Sequence, residues 1–147
     1  MKRILLLASV LLAACGGDGG AGPSLPSVAG TWSLSQSNLA GSGISCNALG
    51  TTITLVQNGG TFTGSYSGGA ISCVGGGQSF SDNLGNGSVV NGTVNENGAV
   101  SMDLDTQDWH LTGNINGSSM SGTVTVHLNV SGSGTVTFAG NWSAAKQ

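Results

Sequence analysis

The chain has 147 residues, of which 6% are charged, and its net charge is −3. This length suits one domain with a modest core. Three basic residues in the whole chain cannot neutralise a row of phosphates, so nucleic-acid binding is excluded as a class of function.

The amino-terminal residues have the pattern of an export signal. Two basic residues precede an apolar run at residues 4–12 that is too short to span a bilayer, and the sequence Leu12-Ala13-Ala14-Cys15 follows. This order resembles a bacterial lipobox. The resemblance implies a lipoprotein signal peptide over residues 1–14 and a mature chain that begins at Cys15 and carries palmitate-type acyl chains there. A short helical hairpin and a chance match are the alternatives.

Lipidation at Cys15 would place the protein in the cell envelope, held on a membrane by its lipid anchor. In a Gram-negative cell, Gly16 after the lipidated cysteine resembles the pattern for the outer membrane, where the domain would face the periplasm or the surface. Residues 15–27 are rich in glycine and proline and predict a flexible tether of about 20 Å. Cleavage would leave Lys146 as the single basic side chain against six acidic ones, a net charge of −5.

Residues 28–147 form the predicted folded domain. Small or apolar residues alternate with polar ones there, whereas helical periodicity is absent, so we expect an all-β domain. Eight segments show the alternation. Their inward-facing residues are Trp32; Ile53 and Leu55; Phe62, Gly64 and Tyr66; Val90, Gly92 and Val94; Val100, Met102 and Leu104; Trp109, Leu111, Gly113 and Ile115; the even-numbered residues of 120–130; and Val136, Phe138, Gly140 and Trp142.

The connections between these segments predict the topology. Asn58-Gly59, Asn97-Gly98 and Asn116-Gly117 suit tight hairpin turns, so consecutive strands should be antiparallel neighbours. Inward glycines let strands coil and make room for aromatic rings. We therefore predict an eight-stranded antiparallel up-and-down β-barrel. An open sandwich of two sheets also fits the pattern, but its edges would have almost no lysine to protect them.

The segment Val28-Ala29-Gly30-Thr31-Trp32, followed by the meander, resembles the calycin superfamily of lipocalins, avidins and related bacterial lipoproteins, over residues 28–145. The resemblance implies that Gly30 and Trp32 lie on the first strand and that Trp32 plugs one barrel end. The lipocalin arginine that packs on this tryptophan has no counterpart, because no arginine remains in the mature chain.

Two cysteines, Cys46 and Cys73, remain after lipidation of Cys15. In a chain that leaves the reducing cytosol we expect them to form a disulfide. Two buried free thiols and a metal site are the alternatives, and the metal site has no further cysteine or nearby histidine to complete it.

Six of the seven aromatic residues share the inward parity. An eight-stranded barrel is either filled by its side chains or holds one small ligand, and the sequence leaves both open. If a pocket exists, we expect Phe62, Tyr66 and Trp109 to line it, with Gln36 and Gln57 as polar contacts. Trp32 and Trp142, on adjoining strands, would seal the base.

Catalytic chemistry has little support in the sequence. No Gly-x-Ser-x-Gly motif occurs, and His110 and His127 fall on the outward parity. Asp103, Asp105 and Asp108 concentrate negative charge, but a calcium loop with its closing glutamate is absent, which favours a solvated acidic turn over a calcium site. We expect no catalytic residue, no metal and no cofactor.

We therefore expect a non-enzymatic envelope lipoprotein whose barrel binds a small apolar or aromatic ligand. The alternative is a structural or protein-interaction module of the envelope, for example a barrel-type protease inhibitor, which a filled barrel with an apolar rim would favour. An enzyme is the third possibility.

Overall fold

A computed structural model describes residues 24–104, 108–130 and 134–147. These ranges contain nine β-strands: β1 Gly30–Gly41, β2 Ile44–Asn58, β3 Thr61–Gly75, β4 Gln78–Asn83, β5 Asn86–Val94, β6 Ala99–Leu104, β7 Trp109–Asn116, β8 Ser119–Val130 and β9 Gly134–Lys146. In the same ranges, no helix has the length and apolarity needed to cross a membrane. The predicted signal peptide, most of the predicted tether, and Asp105 lie outside the described residues.

The strands form one sheet that closes on itself. All pairings are antiparallel, and the first strand pairs with the last, so that β1 lies between β2 and β9. β3 pairs with β2 along its whole length, while its other edge pairs with β5 near one end and β4 near the other. β4 and β5 thus share one position around the circumference. The prediction of a closed eight-stranded up-and-down barrel is confirmed, its architecture is consistent with a calycin-like fold, and the open sandwich is excluded.

The three Asn-Gly dipeptides lie at hairpin turns, as predicted. Gly59, Gly98 and Gly117 have positive φ angles of 59°, 81° and 59° between β2 and β3, β5 and β6, and β7 and β8. These turns, with both ends of the described domain, define the base of the barrel. The β1–β2, β3–β4 and β8–β9 connections define the opposite end, the rim.

The rim is uneven because neighbouring strands differ in length. β6 and β7 have 6 and 8 residues, whereas β8 and β9 have 12 and 13. On the rim side, the last residue pair between β7 and β8 is Trp109 with Val126. The pairing between β8 and β9 continues four residues further along β8, to Val130. Four further residues extend β8 by about 13 Å. The wall is therefore low at β6 and β7 and high elsewhere.

The six inward aromatic residues of the sequence pattern are all buried: Trp32, Phe62, Tyr66, Trp109, Phe138 and Trp142. Glycines opposite two of the rings explain how they fit. Phe62 pairs with Gly92 and Tyr66 with Gly87, and a Cβ atom at either glycine would overlap the ring of its partner. Trp142 reaches across the paired Gly122 and Gly113 so that its indole Nε1 donates a 2.9 Å hydrogen bond to the Thr112 carbonyl.

One inward assignment was wrong. The alternation predicted Val90 inside the barrel, but Val89 is buried and Val90 is half-exposed. The β5–β6 register shifts between Val90 and Thr93, and Asn91 has a φ of +54°, so a β-bulge adds one residue to the outer surface. Beyond the bulge, Gly92 and Val94 are buried as predicted.

The base is closed by the segment that precedes β1. Val28 is fully buried, and its backbone N–H donates to Gln57 Oε1 at 2.7 Å while its carbonyl accepts from Trp32 Nε1 at 2.8 Å. Lys146 Nζ lies 5.3 Å from the centre of the Trp32 ring. A lysine on the last strand therefore places a cation against this buried tryptophan.

Candidate functional site

A cavity of about 200 Å³ lies on the inner wall of the barrel at the rim. Most of its wall is apolar, and the exposed Asp82 and Asn83 of β4 place its mouth at the solvent. Trp109 contributes from the low side of the rim, where β7 begins. The remaining lining residues are Leu39, Cys46, Ile71, Cys73, Leu84, Val126 and Phe138.

The disulfide predicted between Cys46 and Cys73 is confirmed and forms part of this wall. The two cysteines are direct partners in the β2–β3 register, with their Cα atoms 4.0 Å apart. Both are buried. The bond therefore fixes the two long strands against each other where they rise beyond the low wall of β6 and β7, and the free-thiol and metal alternatives do not apply.

The five predicted ligand-binding residues are separated by the fold. Trp109 lines the cavity, and Tyr66 borders a void of about 10 Å³ with Leu84, Leu104 and Trp109. Phe62 and Gln57 lie at the other end of the barrel, beside the β2–β3 turn. Gln57 Nε2 donates to the carbonyls of Pro26 and Gly59, so its amide is used to hold the base.

Gln36, the fifth predicted residue, is one of two buried polar side chains inside the described barrel. Gln36 and Thr51 are both 0% exposed. Neither the Gln36 amide oxygen and nitrogen nor the Thr51 hydroxyl has a hydrogen-bond partner among the described residues. A buried polar group without a partner costs free energy, and buried polar groups in proteins are normally hydrogen-bonded. Gln36 and Thr51 depart from this rule.

Sequence reasoning missed most of the cavity wall and the buried threonine. Leu39, Ile71 and Leu84 follow stretches rich in serine and glycine, where no clean alternation marks an inward face. Thr51 could have been predicted to face inward, because it lies two residues before Ile53 and four before Leu55, which both face inward.

The outward surface of β6 and β7 carries a small polar network. Asp103 pairs with His110 across the two strands, with His110 Nδ1 and Asp103 Oδ1 2.5 Å apart, and Asn91 Nδ2 donates to the other carboxylate oxygen at 2.8 Å. Burial raises the pKa of Asp103, but the hydrogen bonds from Asn91 and His110 and the charge of His110 outweigh it, so the pKa lies below its usual value. His110 and His127 are both exposed, as predicted, and His127 Nδ1 lies 3.5 Å from Asp108 Oδ2.

Within the described residues, no group of three or more His, Cys, Asp or Glu side chains is placed to hold a metal ion. Asp103 and Asp108 are each engaged with a histidine instead. Comparisons with protein-family models, curated proteins and solved structures gave no match to the chain.

Proposed function

We propose that this protein is a non-enzymatic lipoprotein of the cell envelope that binds a small, neutral, apolar or aromatic molecule in the cavity at the barrel rim. The cavity wall carries the proposal: two aromatic rings, aliphatic side chains and a disulfide enclose about 200 Å³ beside the solvent. Pockets for small molecules combine such apolar walls with few polar groups.

The size of the cavity limits the ligand. An apolar protein cavity of about 150 Å³ holds benzene, so about 200 Å³ suits one aromatic ring with a short substituent. The interior below is packed with large buried side chains such as Trp32, Met102 and Leu111. A long lipid chain therefore does not fit inside this barrel.

The charges around the cavity favour a neutral ligand. Asp82 lies at the mouth, and no Lys or Arg among the described residues lines the wall. Lys146 lies at the base, beside Trp32. A carboxylate ligand would lose its hydration and face the Asp82 charge without a cation to pair with.

The proposed lipid anchor is compatible with an open cavity. The chain enters the barrel at the base through Val28, and the cavity is at the rim. An anchor at Cys15 would thus attach at the end opposite the ligand site. Envelope fractionation with mass spectrometry tests the anchor: the acylated chain should remain with membranes, and Cys15→Ser should abolish both acylation and membrane association. An unacylated wild-type chain would overturn this part of the proposal.

Ligand binding is tested by titrating the purified chain with cumene, a neutral one-ring hydrocarbon, while tryptophan fluorescence is recorded. A saturable change is expected, because Trp109 lines the cavity. Val126→Phe should abolish it by filling the cavity, whereas Val74→Phe, at an exposed position on β3, should not. No saturable response in the wild type, or an equal response in Val126→Phe, would refute the proposal.

A protein-interaction module is the second candidate function, and one feature of β4 supports it. β4 pairs with β3 on one edge, and its other edge has no partner strand among the described residues. An unpaired edge beside an apolar cavity suits an extended segment of a partner protein. A photo-crosslinking group at the exposed Ser79 should then capture one envelope protein reproducibly, and its failure to do so would remove this candidate.

A further inference from the structure

We infer that the polar pair formed by Gln36 and Thr51, below the cavity, binds a carboxamide-type group of the ligand, meaning an amide, lactam or urea. The ligand would then be a neutral amphiphile with an aromatic or aliphatic body in the cavity and an amide head beneath it. This inference rests on the proposed function and specifies its ligand.

The strand register places the polar pair directly under the cavity wall. Leu39 and Cys46, both in the wall, are partners across β1 and β2. The next inward pair toward the base is Gln36 with Ala48, and the one after it joins Leu34 with Thr51. Gln36 and Thr51 therefore lie in consecutive inward layers of β1 and β2, separated by a register shift, and they do not bond each other.

A second contact links Thr51 to the wall. The Thr51 hydroxyl and a methyl group of Leu84 both lie against Gly69, where a Cβ atom would meet both of them. Leu84 lines the cavity and follows the end of β4, next to Gly85 with its φ of +74°. A modest displacement of the Leu84 side chain would therefore join the cavity to the Thr51 hydroxyl.

The side chains that neighbour Gln36 on the adjoining strands offer its amide no hydrogen-bond partner. Ala48 lies opposite Gln36 on β2, and Trp142 lies opposite on β9, where its Nε1 already donates to the Thr112 carbonyl. Both amide atoms and the Thr51 hydroxyl are unpartnered, so two consecutive inward layers of the barrel carry unused donors and acceptors.

That combination selects the chemistry of the head group. The side-chain amide of Gln36 presents one acceptor oxygen and an NH₂ donor in one plane, so it matches a group that also donates and accepts, as another amide does. The Thr51 hydroxyl can donate to the second lone pair of the ligand's carbonyl oxygen. A carboxylate only accepts and would bring an uncompensated charge into the core, and a hydrocarbon would leave all three atoms unpaired.

Benzamide and cumene test the inference because they have nearly the same shape, and only benzamide carries the amide. The measurement is the ratio of their dissociation constants for the purified chain, followed by tryptophan fluorescence, in wild type, Gln36→Leu and Gln78→Leu. Gln78→Leu makes the same chemical change at an exposed position of β4. We expect Gln36→Leu to shift the ratio toward cumene by about tenfold and Gln78→Leu to leave it unchanged.

Each outcome separates the two proposals. Saturable cumene binding with a ratio unaffected by Gln36→Leu would overturn this inference and leave the apolar site standing. If neither cumene nor benzamide binds to the wild type, both the proposed ligand site and this inference are overturned. Thr51→Val, which keeps the shape of the side chain, is the second variant should Gln36→Leu not fold, and it should shift the ratio in the same direction.

Discussion

Gln36→Leu should make the ligand-free protein more stable, because it removes a buried amide that has no partner. Gln36 is 0% exposed, and neither its oxygen nor its nitrogen has a hydrogen-bond partner among the described residues. Leaving a buried polar group unsatisfied costs about 1–3 kcal/mol, and leucine fills a similar volume without that cost. We expect the free energy of unfolding to rise by about 2 kcal/mol.

Urea unfolding followed by tryptophan fluorescence, with the disulfide intact, measures this change. The midpoint should move to higher urea with an unchanged slope, because the surface exposed on unfolding stays the same. Thr51→Val should raise stability by about 1 kcal/mol by the same reasoning, since it carries a single unpaired hydroxyl. A midpoint that falls in Gln36→Leu would refute the reasoning, because it would mean that the amide is satisfied in the folded chain.

Three further predictions follow from other parts of the barrel. Replacing Cys46 and Cys73 together by alanine should lower the free energy of unfolding by about 3–4 kcal/mol, since the bond closes a loop with a sequence separation of 27, and urea unfolding checks it. Gly92→Ala should destabilise by about 1–3 kcal/mol because its Cβ would overlap both the Phe62 carbonyl oxygen and the Phe62 ring, and pairing it with Phe62→Leu should recover only the part due to the ring in thermal melts. Asp103 has a lowered pKa in the folded state, so its contribution to stability is present above about pH 4 and is lost as the pH falls below that value. The melting temperature of Asp103→Asn should therefore approach that of the wild type at pH 3 and lie below it at pH 6.

Each of these predictions has its own refutation. A double cysteine variant as stable as the oxidised wild type would show that the disulfide does not constrain the unfolded chain. Equal losses in Gly92→Ala with and without Phe62→Leu would mean that the ring is not the obstacle. A constant difference between Asp103→Asn and wild type from pH 3 to pH 6 would exclude the ionised carboxylate as the cause.

The sequence predicts the barrel well because period-two alternation and Asn-Gly turns are local signals. Eight of the nine described strands coincide with alternating segments. β4 was missed, since Phe80 is the only apolar residue within Gln78–Asn83. Val90 was placed on the wrong face because a bulge at Asn91 reverses the parity, and alternation alone contains no sign of where an extra residue enters.

The candidate site is less predictable because it depends on strand lengths and long-range register. The cavity exists where the wall formed by β6 and β7 is lower than its neighbours, so its lining comes from seven strands and from Leu84 just after β4. Gln57 and Gln36 are the same residue type, and the sequence does not separate them. In the structure, however, the Gln57 amide holds the base of the barrel, whereas the Gln36 amide lies in the core without a hydrogen-bond partner among the described residues. Only the three-dimensional arrangement separates these roles.

Nuclear magnetic resonance of the tryptophan indole N–H groups tests the ligand site most directly. The chain has three tryptophans, and Trp109 alone lines the cavity, while Trp32 and Trp142 donate to backbone carbonyls deeper in the barrel. Titration with cumene should shift the Trp109 resonance saturably and leave the Trp32 resonance in place. No saturable shift at Trp109, or equal linear drifts at all three, would contradict the proposal that the rim cavity binds an apolar molecule.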